Sequence, residues 1–152
     1  MKVESFRDLL DWTSDYHQHL SNCFADSAKA QSDKRSQLLL DYLADKEMNL
    51  ANRVRAFKAV GEDKALDTWC TAHIDQHPLM DETRCDDAFA TMNTDDIISE
   101  TEKQHQLIIS LYHNLGERSH PAEMQKLLNE VHDFEKEQAQ QMMQGANRLE
   151  DI

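Results

Sequence analysis

The sequence predicts an all-α fold, a four-helix bundle, on three observations. Helix-forming residues dominate, strand punctuation is scarce, and four long segments carry apolar residues at helical spacing. Gly occurs three times and Pro twice in 152 residues, too few to divide the chain into many short strands. That length suits one domain, over residues 1–152, with a substantial core.

The first segment, Glu4 to Ala28, places Phe6, Leu9, Leu10, Leu20 and Phe24 on one face. The second, Asp33 to Val60, aligns Leu39, Leu40, Leu43, Leu50, Val54 and Phe57; Ser32 is its start signal and Gly61 suits the reversal after it. In the third, Asp95 to Leu115, the aligned residues are Ile98, Ile109, Tyr112 and Leu115, with Thr94 ahead and Gly116 behind. The fourth, Pro121 to Leu149, opens at Ser119-His120-Pro121 and aligns Met124, Leu127, Leu128, Val131, Phe134 and Met142. Leu43, Leu50, Ile109, Val131 and Phe134 are expected to be buried together.

The links after the first and third helices are short, so each pair is expected to form an antiparallel hairpin. The link between the hairpins runs from Gly61 to Asn93, enough to cross the length of a bundle and too long to lack structure of its own. A short helix is expected over Glu62 to Gln76, ended before His77-Pro78. The predicted topology is two antiparallel hairpins joined by a long crossover.

The formal charge is −13, from 29 acidic and 16 basic residues, with no basic cluster. Such a surface repels nucleic acid and anionic membranes. No run of apolar residues reaches the length of a membrane span and the start of the chain has no leader-like stretch, so a cytoplasmic, unprocessed chain is expected. Cys23, Cys70 and Cys85 are odd in number and lack CxxC spacing, which predicts reduced thiols, with Cys23 near a core. Cys70, His73 and His77 share one face of the short helix, but no fourth ligand accompanies them and they read as an exposed turn. His132, beside Glu130 and Asp133, reads as a solvated face. Met142, Met143 and Gly145 form a soft patch suited to core filling or to homodimer contact. No glycine-rich phosphate loop or nucleophile elbow is present.

The informative residues are polar ones inside the apolar stripes. His17 lies in the first stripe, Glu47 in the second, Glu102 and His105 in the third, and Glu135 and Gln138 in the fourth. Unpaired buried carboxylates on converging faces repel one another unless protons or a metal ion compensate. Divalent ions that accept both carboxylate and imidazole satisfy such a set.

This pattern resembles the ferritin-like superfamily, in particular its rubrerythrin-type branch, whose di-iron site takes a Glu from each of two helices and a Glu-x-x-His pair from each of the other two. Glu102-Lys103-Gln104-His105 is an intact Glu-x-x-His, on the helix where the family has a lone Glu. Glu47 and Glu135 match family glutamates, with Leu50 and Gln138 in the positions of their histidines, and His17 stands where the first helix should supply Glu. The resemblance implies a cluster of His17, Glu47, Glu102, His105 and Glu135, able to hold iron or another divalent transition metal, with redox or iron-handling activity. The departures leave a second reading, a scaffold without a metal site that acts as a homodimer or adaptor. Helix lengths set the expected height of the cluster: His17 and Glu47 each stand fifteen residues from Ser32, about 22 Å along their helices, and Glu102 and Glu135 lie about fifteen and seventeen residues from the turn near Gly116 to Ser119, nearly the same height.

Overall fold

The computed structural model describes residues 3–68, 89–118 and 120–150. Within them lie four long helices, α1 (Phe6–Ala30), α2 (Lys34–Val60), α4 (Thr94–Gly116) and α5 (Ala122–Glu150), and one short helix, α3 (Asp63–Leu66). The described residues are otherwise turns and connections, so the fold is all-α.

Local chemistry sets the helix ends. Ser5 accepts from the backbone N–H of Asp8 while Asp8 reaches back to the backbone of Ser5, a capping box that satisfies two otherwise orphaned donors. Asp33 caps α2 through the N–H of Ser36, and Asn93 caps α4 through the N–H of Asp96. Each cap lies one residue from the start signal read in the sequence, Ser32 and Thr94, because the acidic or amide neighbour takes the capping bond. Gly61 ends α2, its N–H donating to the carbonyl of Phe57 at 2.9 Å. The described part of the link holds only the four residues of α3, and residues 69–76 of the expected longer helix lie outside the described residues.

Side-chain bonds define the pairing. Ser21 Oγ donates to the carbonyl of Ala44 at 2.7 Å, Gln37 donates to that of Ala28, and Lys58 pairs with Asp11, so α1 and α2 run antiparallel. Gln125 donates to the carbonyl of Gly116, and the rings of His113 and His132 lie 5.9 Å apart, which makes α4 and α5 antiparallel as well. The two pairs close on each other through Thr13 and Phe6 against Tyr112, and through Tyr42 and Phe57 against Met142 and Phe134. The flanks of the crossover sit at opposite ends of α1. The N–H of Phe6 donates to the carbonyl of Thr68 at one end, and Gln31 donates to the carbonyls of Phe89 and Met92 at the other.

The core runs the length of these helices. Phe6, Trp12, Phe24, Leu43, Ile97, Ile108, Tyr112 and Val131 are almost wholly removed from water, each large apolar side chain contributing about 1.5–3 kcal/mol before entropy is counted. Tyr112 keeps its hydroxyl satisfied against Thr13 at 2.7 Å. Leu43, Leu50, Ile109 and Val131 are buried as expected, but Phe134 is half-buried at the rim, under Phe57 and the guanidinium of Arg53. Cys23 is buried, yet it is disulfide-bonded rather than a free thiol, a correction that odd numbers and spacing could not anticipate because a disulfide depends on long-range proximity. Cys70, His73 and His77 lie outside the described residues. No described helix is long and apolar enough to cross a membrane.

Gly145 is the one helix-interior glycine that packing requires. A Cβ there would lie 1.9 Å from the hydroxyl and 2.7 Å from Cζ of Tyr42, which crosses α5 at this point and donates to the carbonyl of Met142. We predict that Gly145→Ala destabilises the wild-type protein by displacing Tyr42. In a Tyr42→Ala background the same change should instead stabilise it by up to about 1 kcal/mol, the ordinary helical preference for Ala over Gly. Denaturant titration of the four proteins measures both signs, and equal effects in the two backgrounds would refute the packing role.

Candidate metal centre

Each of the four long helices sends one polar side chain to a common level in the core. His17 comes from α1, Glu47 from α2, His105 from α4 and Glu135 from α5. His17 and Glu47 are 0% exposed, and His105 and Glu135 are 2% exposed, so these groups cannot be satisfied by bulk water. They satisfy one another. His17 Nδ1 lies 2.6 Å from Glu47 Oε2, and His17 Nε2 lies 2.8 and 3.1 Å from the two oxygens of Glu135. Glu47 Oε1 meets Nε2 of His105 on its other side. The result is a continuous chain, Glu135–His17–Glu47–His105, through the centre of the protein.

The electrostatics follow from this geometry. Burial alone would lower the His17 imidazolium, but the carboxylates of Glu135 and Glu47 outweigh it and raise the group to about 10. Burial alone would raise Glu47, but His105 and His17 outweigh it and lower the carboxyl to about 2. In the metal-free protein at neutral pH, His17 is therefore an imidazolium that donates to a carboxylate on each side. Tyr16, one residue before His17, was not singled out by the sequence pattern. It stacks on Trp12 with ring centroids 5.4 Å apart and donates to Gln104, while burial first, then the charges of Glu47 and Glu100, holds its hydroxyl protonated far above the usual tyrosine range.

One ligand atom from each of His17, Glu47 and His105 lies within 4.8 Å of the others, and this buried group can hold a metal ion. Two further observations fit the donor set to a cation. Nδ1 of His105 is buried without a hydrogen-bond partner among the described residues, an unusual state for a core polar atom. Glu47 and Glu135 also bring two negative charges into the core, of which an imidazolium at His17 offsets one; a divalent ion offsets both. Glu135, held against Nε2 of His17, is placed to accept that N–H and leave Nδ1 facing Glu47, the arrangement by which a carboxylate orients a ligating histidine.

The structure brings together four of the five residues that the sequence pattern grouped, and not the fifth. Glu102 is exposed on α4. The buried face of α4 is centred on Ile97, Thr101, Ile108 and Tyr112, all 0% exposed, whereas Ile98 and Ile109, which defined the expected stripe, are its rim at 9% and 8%. Glu102 points about 100° away from that centre. Gln138, expected inside the stripe of α5, is likewise half-buried, on the wall of a surface cavity beside Tyr42. His132 is partly exposed beside Asp133, with its Nδ1 3.0 Å from that carboxylate. No protein-family model, curated protein or solved structure matches the chain.

Proposed function

We propose that this chain is a ferritin-like helical-bundle protein that binds a divalent transition metal ion in its core, with His17, Glu47 and His105 as ligands and Glu135 as the carboxylate that orients His17. The observation that carries the reading is the convergence of the three donors within 4.8 Å, one from each of three helices, in a site closed to water. Two imidazoles and a carboxylate are a donor set used by non-haem iron(II) sites and tolerated by zinc, cobalt and manganese, and iron is the ion that the resemblance favours. The two hairpins, with crossover flanks at opposite ends of α1, are the connectivity expected of ferritin-like bundles. A bound ion supplies Lewis acidity, or redox chemistry if it is iron. The protein's own residues hold it: Glu47 and Glu135 balance its charge, and the buried walls exclude bulk water.

A second reading has one observation in its favour. The Glu135–His17–Glu47 contacts are already at hydrogen-bond length, so the cluster also stands as a proton-bridged polar core that fixes helix register in a metal-free scaffold, acting as a homodimer or adaptor. An ion enters only by displacing the protons shared along that chain, which makes the two readings separable.

Titration of metal-free protein with Co(II), Zn(II) or Fe(II) is expected to saturate at one equivalent and to raise Tm, by the equivalent of about 2.7 kcal/mol when free metal is a hundredfold above Kd. Glu47→Gln, nearly isosteric, should abolish that rise. A wild-type protein whose Tm is indifferent to all three ions sinks the metal reading.

The pH dependence gives an independent test. His17 is raised from 6.5 to about 10, so its contribution to metal-free stability is complete below about pH 6.5 and is lost as pH rises towards 10. Glu47 is lowered from 4.5 to about 2, so its contribution is complete above about pH 4.5 and is lost as pH falls towards 2. The cluster should therefore stabilise the metal-free protein most between about pH 4.5 and 6.5. Metal affinity should do the opposite above that window, rising with pH because binding releases protons. Calorimetric Tm and Kd measured from pH 4 to 9 give the two slopes, and a metal affinity flat across pH 6 to 8 would contradict the proton–metal exchange.

A further inference from the structure

A site buried this completely needs a way in, and the residue that fell outside the cluster marks one. A cavity of about 430 Å³ opens between α4 and α5, and His105 forms part of its wall. His105 is thus shared between the buried centre, where its Nε2 meets Glu47, and the cavity. Two further cavities among the described residues do not reach the cluster. One, between α2 and α5, is lined by Lys46, Arg53 and Arg148 and repels cations; the other lies by Gly61 and Glu123, against the end of α2.

Glu102 lines the same cavity as His105, one turn away on the same helix, and is exposed. The same wall carries the amides of Gln106, Gln140 and Gln144, neutral oxygens able to replace water around an ion one ligand at a time. The single cation of the lining, Lys136, stands on the facing helix. The wall also includes His105, whose Nδ1 has no hydrogen-bond partner among the described residues.

We propose that this cavity is the entry path of the metal ion and that Glu102 is the carboxylate that collects the hydrated cation at its mouth, passing it by way of His105 to Glu47. The proposal rests on the metal reading given above and assigns Glu102 a kinetic role, not a place among the final ligands. A mouth carboxylate raises the local cation concentration and lowers the barrier to entry, so it changes how fast the ion arrives and leaves while the occupied site keeps its affinity.

The test is stopped-flow mixing of metal-free protein with cobalt(II) chloride, following the ligand-field absorption, on wild type, Glu102→Gln and, as a control for net charge, Glu130→Gln, an exposed residue beside a different cavity. Glu102→Gln should slow association about tenfold, with one equivalent still bound and Kd unchanged. Glu130→Gln should leave the rate unaltered, and added salt should slow wild type more than Glu102→Gln. Unchanged association in Glu102→Gln overturns the path. Unchanged association with a raised Kd overturns it too and makes Glu102 a ligand. A wild-type protein that takes up no cobalt fails at the earlier step, overturning the metal reading and the path together.

Discussion

The metal-free structure depends on one arrangement, an imidazolium at His17 held between two buried carboxylates. Removing two carboxylates from water is costly, and only a close partner of opposite charge makes it tolerable. His17 meets that demand with both ring nitrogens, towards Glu47 on α2 and Glu135 on α5. The bond lengths leave no room for slippage. A shift of any of these helices by one turn, about 5.4 Å, would strand a charge in the core, so the cluster sets the relative heights of the helices in a way that interchangeable leucines cannot.

The other polar contacts of the core reinforce that register from α1. Thr13 bonds Tyr112 one turn before His17, and Tyr16 bonds Gln104 beside it; Ser21 bonds the carbonyl of Ala44 one turn after. Each ties α1 to α2 or α4, and apolar side chains fill the space between them. The first helix is therefore the member against which the others are aligned. Gly145 shows the same logic at the far face, where a residue unfavourable inside a helix is kept so that Tyr42 of α2 can lie across α5.

Charge divides the surface of this acidic chain along its helix pairs. The groove between α2 and α5 gathers Lys46, Arg53 and Arg148, two of them resting over the rings of Tyr42 and Phe134. The groove between α4 and α5 carries Glu102, Lys136 and uncharged amides and touches the buried cluster through His105.

The sequence alone determined the four long helices, their approximate ends, the core-facing directions of His17, Glu47, His105 and Glu135, and the shared height of His17 and Glu47, because 3.6-residue periodicity and rise per residue are local properties of a helix. It left open every question that a neighbouring helix answers. Glu102 read as buried because Ile98 and Ile109 flank it in the pattern, but packing against α1 turned the face of α4 towards Ile97, Thr101 and Ile108 and left Glu102 in water. Phe134 and Gln138 fell at the rim for the same reason. The disulfide of Cys23, the bridging of two carboxylates by one histidine and the His105 nitrogen left without a partner among the described residues are matters of distance between segments remote in the chain. An apolar stripe spans a hundred degrees or more of a helix surface, so a wheel says which side a residue faces; only the packed neighbours decide whether a residue at the stripe's edge is a ligand, a wall or a gate.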